Sequence, residues 1–240
     1  MLTYSAITNM GNRDVNEDSI RGAEKNGRYC FIVADGLGGH GRGDEASCIV
    51  SDEIIRLFNS YDGELKDFIG PAIDKAQEKL MDEQIVRGGR FQMKTTVVVL
   101  VIEGSNAYWG FVGDSRLYYF KNSKMKKRTI DHSVPQMLVL AKNIKEKEIR
   151  HHPDRNKLLR VLGIEWDKPM YELDSVKLKN KQAFLLCTDG FWELITEDKM
   201  EEYLKKSETV AQWLEKMADD VKSNGVGLNM DNYSAVAVVI

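Results

Sequence analysis

The chain has 240 residues, 42% hydrophobic and 30% charged, with a net charge of -3 at neutral pH. That length can bury the core of one domain, and the composition is that of a globular protein. The slight acidity and the lack of a long basic stripe exclude nucleic acid as the main partner. No charged-then-apolar leader opens the chain and no apolar run nears a membrane span, so a soluble, cytoplasmic protein is expected.

No repeat or low-complexity linker divides the chain, so residues 1–240 read as a single domain. Cys30, Cys48 and Cys187 are odd in number and have no paired spacing. They read as reduced core residues, not as a disulfide frame or a zinc site.

In chain order, Leu2 to Thr8 predicts a first strand, and a polar loop follows with Arg13 and the acidic pair Glu17-Asp18. Ile20 begins a second strand. Tyr29 to Ala34 is short, apolar and partly β-branched, the pattern of a buried strand. It runs straight into Asp35 and a glycine-dense loop, Gly36-Leu37-Gly38-Gly39-His40-Gly41. Glycines there would let backbone pass close to a ligand.

Val50, Ile54, Leu57 and Phe58 recur at helical spacing, and a second helix is expected from about Glu64 to Val86. Pro71 should kink that helix or begin its regular part. Thr95 to Ile102, Asn106 to Val112 and Leu117 to Phe120 predict three strands. The joint Gly113-Asp114-Ser115-Arg116 reads as a hairpin turn, and the basic run Lys121 to Arg128 as a solvated hairpin. Ser133 to Asp167 is polar, with short helical pieces. Ala183 to Cys187 predicts a strand leading into Thr188-Asp189-Gly190. Val210, Trp213, Leu214, Met217, Ala218 and Val221 form an amphipathic helix, with Ser207 as its expected cap. Met230-Asp231-Asn232 opens a last strand, Tyr233 to Ile240.

One pattern links these segments. Asp35, Asp114 and Asp189 each follow an apolar strand, and Asp18 and Asp231 each precede one. A single Asp-Gly pair is ordinarily a turn. Repeated at strand ends that can share one rim, the device would crowd carboxylates that repel one another unless cations are present. Oxygen donors suit hard divalent ions such as magnesium or manganese.

The ordered blocks are specific. They are Arg13-x-x-Asn16-Glu17-Asp18-Ser19, Val33-Ala34-Asp35-Gly36-Leu37-Gly38-Gly39-His40 and Thr95-Thr96. Next come Val112-Gly113-Asp114-Ser115-Arg116, Asp131-His132-Ser133 and His152-Pro153-x-x-Asn156-x-Leu158-x-Arg160-x-Leu162-Gly163. Cys187-Thr188-Asp189-Gly190 and Asp231-Asn232 complete the set. In these blocks the chain resembles the PP2C (PPM) family of metal-dependent protein serine/threonine phosphatases, in its short bacterial form.

The resemblance implies an α+β fold, a four-layer α-β-β-α sandwich of two antiparallel sheets flanked by helices, with a flap at about 133–168. It implies two core Mn2+ or Mg2+ ions and a weaker third. Asp35 would bridge the pair, with the Gly36 carbonyl, Asp189 and Asp231 as ligands and Glu17 and Asp18 acting through water. Asp114 would join Asp189 on the third ion. Arg13 would grip the substrate phosphate, as a forked guanidinium suits phosphate oxygens. A metal-bridging hydroxide would attack phosphoserine or phosphothreonine directly, in opposition to a serine/threonine kinase, with phosphoproteins as partners and a monomeric state.

Other phosphatase chemistries are not supported. No cysteine has an arginine six residues on, and there is no Asp-x-Asp and no Walker loop. Leu37 stands where the eukaryotic branch has a histidine assigned as general acid. A metal-bound water is the expected proton donor in its place, with His40 or His152 as helpers, and His40 is also considered as a substrate contact. A metal-free binding module of the same fold is the alternative, against which every aspartate ligand position is filled.

Overall fold

The computed structural model describes residues 2–37, 41–88 and 92–240. Two five-stranded antiparallel sheets face each other. One has the order β1 (Thr3–Asn9), β10 (Tyr233–Val239), β9 (Gln182–Cys187), β6 (Arg116–Lys121), β7 (Lys124–Arg128). The other has the order β2 (Asp18–Lys25), β3 (Arg28–Asp35), β4 (Val97–Glu103), β5 (Asn106–Val112), β8 (Glu172–Lys177).

Helices α1 (Gly43–Ser60) and α2 (Ile69–Val86) cover the second sheet. Helices α5 (Glu197–Lys206) and α6 (Val210–Asn224) cover the first. Every central strand is thus covered on both faces, so β3, β4, β9 and β10 read as continuous apolar runs without alternation. Phe31, Val33, Val98 and Leu100 meet Leu117, Phe184, Leu186 and Val236 between the sheets.

Local chemistry sets the turns. Asn26 and Gly27 both have positive φ, the requirement of a two-residue hairpin turn, and join β2 to β3. Asn122 and Ser123 do the same between β6 and β7, so the basic run is a hairpin as expected. Leu65–Asp67 forms a separate 3-10 turn, and Pro71 lies in the first turn of α2, where its missing N–H is harmless. Residues 133–168, the segment expected to form a flap, carry α3 (Val134–Leu140) and a 3-10 segment, Glu146–His151. Among the described residues, no helix is long and apolar enough to cross a membrane.

Three expectations are corrected. The Gly113–Arg116 joint is not a hairpin turn: β5 and β6 lie in different sheets, so it carries the chain from one layer to the other. The cap of α6 is Thr209, whose hydroxyl accepts the Gln212 N–H; Ser207 instead ends α5, and its Oγ is buried without a partner. Cys30 and Cys187 are buried free thiols, but Cys48 is partly exposed, beside Arg21.

Candidate active site

Five strand ends meet at one rim. Asp18, the first residue of β2, pairs directly with Asp35, the last of β3. Asp189 opens the short helix α4 (Asp189–Trp192) just beyond β9, and Asp231 precedes β10, the neighbour of β9. Asp114 sits in the link that leaves β5. The structure therefore brings together all five aspartates singled out in the sequence.

Hydrogen bonds, most of them between side chain and backbone, hold the segments that carry the carboxylates in place. The Asp35 N–H donates to Thr96 Oγ1 (3.1 Å), and Thr96 N (2.8 Å) and Thr95 Oγ1 (2.8 Å) donate to the Asp35 carbonyl. Thr188 Oγ1 donates to Asp18 Oδ2 (3.0 Å) and accepts from Ser234 N–H (3.0 Å). Asn232 accepts the Glu17 N–H on Oδ1 (2.8 Å) and donates from Nδ2 to the Met10 and Val15 carbonyls, which fastens the loop bearing Arg13. Trp192 Nε1 donates to the Asp114 carbonyl (3.0 Å), and the Arg116 guanidinium lies over its ring. The roles of Asn232, Thr188 and Trp192 were not assigned from sequence, since each depends on a partner at least 78 residues away.

Two glycines are set by close approach. A Cβ on Gly36 would stand 2.2 Å from the Gly43 carbonyl oxygen, and one on Gly190 would stand 2.1 Å from the Asn232 oxygen. Only glycine lets α4 close onto the start of β10 and bring Asp189 near Asp231.

The electrostatics follow from this crowding. Burial, then Asp189, Asp18, Asp114 and Asp231, push the Asp35 carboxyl well above its ordinary value. Burial and neighbouring Asp189 and Asp231 raise Asp18 to about 7, although hydrogen bonds from Ser234 and Thr188 oppose this. Asp189 is raised to about 6, chiefly by burial and then Asp231, while a hydrogen bond with the Asp35 carboxyl opposes the rise. Asp114 is raised by burial and Asp189, and Glu17 by burial. Arg13 is the cation at this rim that contacts an aspartate, with Nη2 2.8 Å from Asp231 Oδ2.

Among the described residues, no three Asp, Glu, His or Cys side chains are already drawn into a metal cage. The donor set nevertheless fits hard divalent cations: it is all oxygen, and its mutual repulsion is what such an ion removes.

His40 lies outside the described residues. His152 does not join the carboxylates. It lines a cavity of about 940 Å3 between the flap and the start of α5, and its Nδ1 accepts the Asp154 N–H. The cleft at the carboxylates is smaller, about 290 Å3, and Arg13, Asp189 and Asp231 line it.

Comparison with known proteins agrees with this arrangement. The family model described as Protein phosphatase 2C matches residues 8–230. The chain is 32% identical over 192 residues to the serine/threonine phosphatase stp of Listeria innocua, covering 75% of this chain and 73% of that one. It superposes on serine/threonine phosphatase Stp1 from Staphylococcus aureus with a TM-score of 0.91 at 26% identity, covering 100% and 95% of the two chains. It shares its fold with the catalytic domain of the phosphatase PstP solved in complex with two manganese ions (TM-score 0.85, 23% identity, 99% and 97% covered). By the match over most of its length, and with the carboxylate rim in place, this chain belongs to the protein phosphatase 2C family.

Proposed function

We propose that residues 1–240 act as one catalytic domain that hydrolyses phosphoserine and phosphothreonine in proteins, in the cytoplasm and in opposition to a serine/threonine protein kinase. The observation that carries this reading is the convergence of four aspartates, Asp18, Asp114, Asp189 and Asp231, on Asp35. Asp35, the Gly36 carbonyl, Asp189 and Asp231 would hold two Mn2+ or Mg2+ ions, with Glu17 and Asp18 acting through water. Bound there, such ions neutralise phosphoryl oxygens and lower the pKa of coordinated water.

The chain's own groups do the rest. Arg13 reaches the mouth of the cleft and offers its guanidinium to the phosphate. The Thr95-Thr96 pair keeps Asp35 aimed inward from the end of β3. Asn232 keeps the Arg13 loop against the rim.

Phosphopeptide turnover should require added Mn2+ or Mg2+ and vanish with a chelator. Full activity in metal-free protein would sink the two-metal reading. Arg13→Ala should raise KM about tenfold or more with a smaller loss in kcat, because a hydrogen bond to a charged group contributes about 1.5–3 kcal/mol. An unchanged KM would remove Arg13 from substrate binding.

Asp114, with Asp189, would hold a third and weaker ion. Asp114→Ala should still bind two ions by calorimetry. It should lose more turnover on phosphopeptides than on p-nitrophenyl phosphate, whose leaving group hardly needs a proton. Equal losses on both substrates would reject a part for Asp114 in protonating the leaving group.

A further inference from the structure

The cleft that exposes Arg13, Asp189 and Asp231 has a second wall of different character. Leu194, Leu228 and Met230 line the same cleft as the carboxylates. Leu228 is 56% exposed, and Val226, two residues before it, is 79% exposed. Exposed apolar surface thus adjoins the charged cleft.

This wall is held in place. Asn12 N–H donates to the Met230 carbonyl (3.0 Å) and Met230 N–H to Asn12 Oδ1 (3.1 Å). Leu228 N–H donates to the Gly225 carbonyl (3.0 Å), and Asn224 Nδ2 to the Leu194 carbonyl (2.8 Å). The two Asn12–Met230 bonds tie the wall to the loop that carries Arg13. Both guanidiniums lining the cleft already have carboxylate partners, Arg13 with Asp231 at 2.8 Å and Arg155 with Glu193 at 3.1 Å. The phosphate takes the place of Asp231 at Arg13, and Arg155 stays paired with Glu193, so an acidic neighbour of the phosphorylated residue meets no further unpaired guanidinium in this lining, whereas an apolar neighbour covers Leu228.

We infer that this wall receives an apolar side chain adjacent to the phosphorylated residue, so that Leu194, Leu228 and Met230 select the peptide sequence around the phosphate. The inference rests on the phosphatase reading above and adds a substrate class to it. Consecutive Cα atoms are about 3.8 Å apart, and Arg13 and the wall line one cleft, so the neighbour of a phosphorylated residue gripped at Arg13 is within reach of the wall. At about 290 Å3 the cleft has room for one large side chain beside the phosphate. It is smaller than most sites for a separate small molecule.

The test compares matched phosphoserine peptides with Leu or Asn on either side of the phosphoserine, using Mn2+-loaded protein. Leu and Asn are similar in size and both uncharged, so the ratio of kcat/KM reports the apolar wall. We expect Leu to be favoured about tenfold or more on one side, the lower end of what hydrophobic pockets achieve. Leu228→Ser should cut that ratio at least about threefold, and Leu228→Met should retain it. The ratio is internal to each protein, so a change in the amount of folded enzyme does not affect it. A ratio near one in the unaltered protein, or an unchanged ratio in Leu228→Ser, overturns the inference. If the unaltered protein also fails to hydrolyse p-nitrophenyl phosphate, the phosphatase reading falls and takes this inference with it. Activity with a flat ratio overturns the inference alone.

Discussion

Asp35→Asn should abolish phosphopeptide turnover while making the metal-free protein more stable. The two effects have opposite signs because one carboxylate does both jobs. Asp35 lies among four other aspartates, and burial and their charges push its carboxyl well above its ordinary value. Asparagine has nearly the same shape and no charge, so repulsion at the rim falls. A gain of about 1–2 kcal/mol would raise the melting temperature by roughly 2–8 °C in a domain of this size. Asparagine is also a poor bridge between two cations. Losing several kcal/mol of charge stabilisation corresponds to a drop in kcat of about a thousandfold or more. Thermal melts with chelator and turnover with Mn2+ check the two halves. A lower melting temperature, or turnover within about tenfold of the parent, would contradict Asp35 as the centre of the cluster.

The second large effect is on stability against pH. Asp18 is pushed up to about 7 and Asp189 to about 6, in both cases first by burial. Unfolding returns each to about 3.9, so the folded metal-free protein binds protons more tightly than the unfolded chain over this interval. Stability from these groups is therefore complete below about pH 4 and is lost as pH rises through 6 and 7. Each unit of difference is about 1.4 kcal/mol, and partial access to water reduces the total, so a loss of order 3 kcal/mol is expected between about pH 5 and 8. Mn2+ or Mg2+ should reverse it, and should raise the melting temperature more at about pH 8 than at pH 5.5, where protons compete for the ligands. Urea melts across this range, with and without metal, decide the matter. A stability that rises with pH in chelator would show that the carboxylates do not repel one another as described. Asp18→Asn should flatten the metal-free profile.

The two predictions rest on different amounts of sequence information. That carboxylates end or begin apolar strands is visible in a window of a few residues, because strand patterning and turn residues are local. The spacing of the blocks also sufficed to identify the family and its sandwich. The edge strand β8 was missed as a strand: five of its six residues are exposed and three are charged, so neither alternation nor an apolar run marks it. The cap of α6 was misplaced by two residues, since Ser207 and Thr209 are equivalent until the chain path decides which hydroxyl meets a free N–H.

By itself, the sequence determined the central strands, because burial on both faces demands apolar runs, and the helices α1, α2 and α6, whose apolar residues recur at helical spacing. Helix α5, with Met200 its one fully buried residue, was not read from it. The sequence also determined that carboxylates stand at the strand ends. Only the tertiary structure decided that Gly113–Arg116 crosses between sheets, so that Asp114 comes to the rim from the opposite layer to Asp189. The tertiary structure likewise decided that Arg13 meets Asp231 across 218 residues of chain, and that Thr188 meets Asp18 across 170. These pairings depend on which strands lie side by side. Sheet order follows from the packing of whole faces against each other, and no local stretch of sequence encodes that.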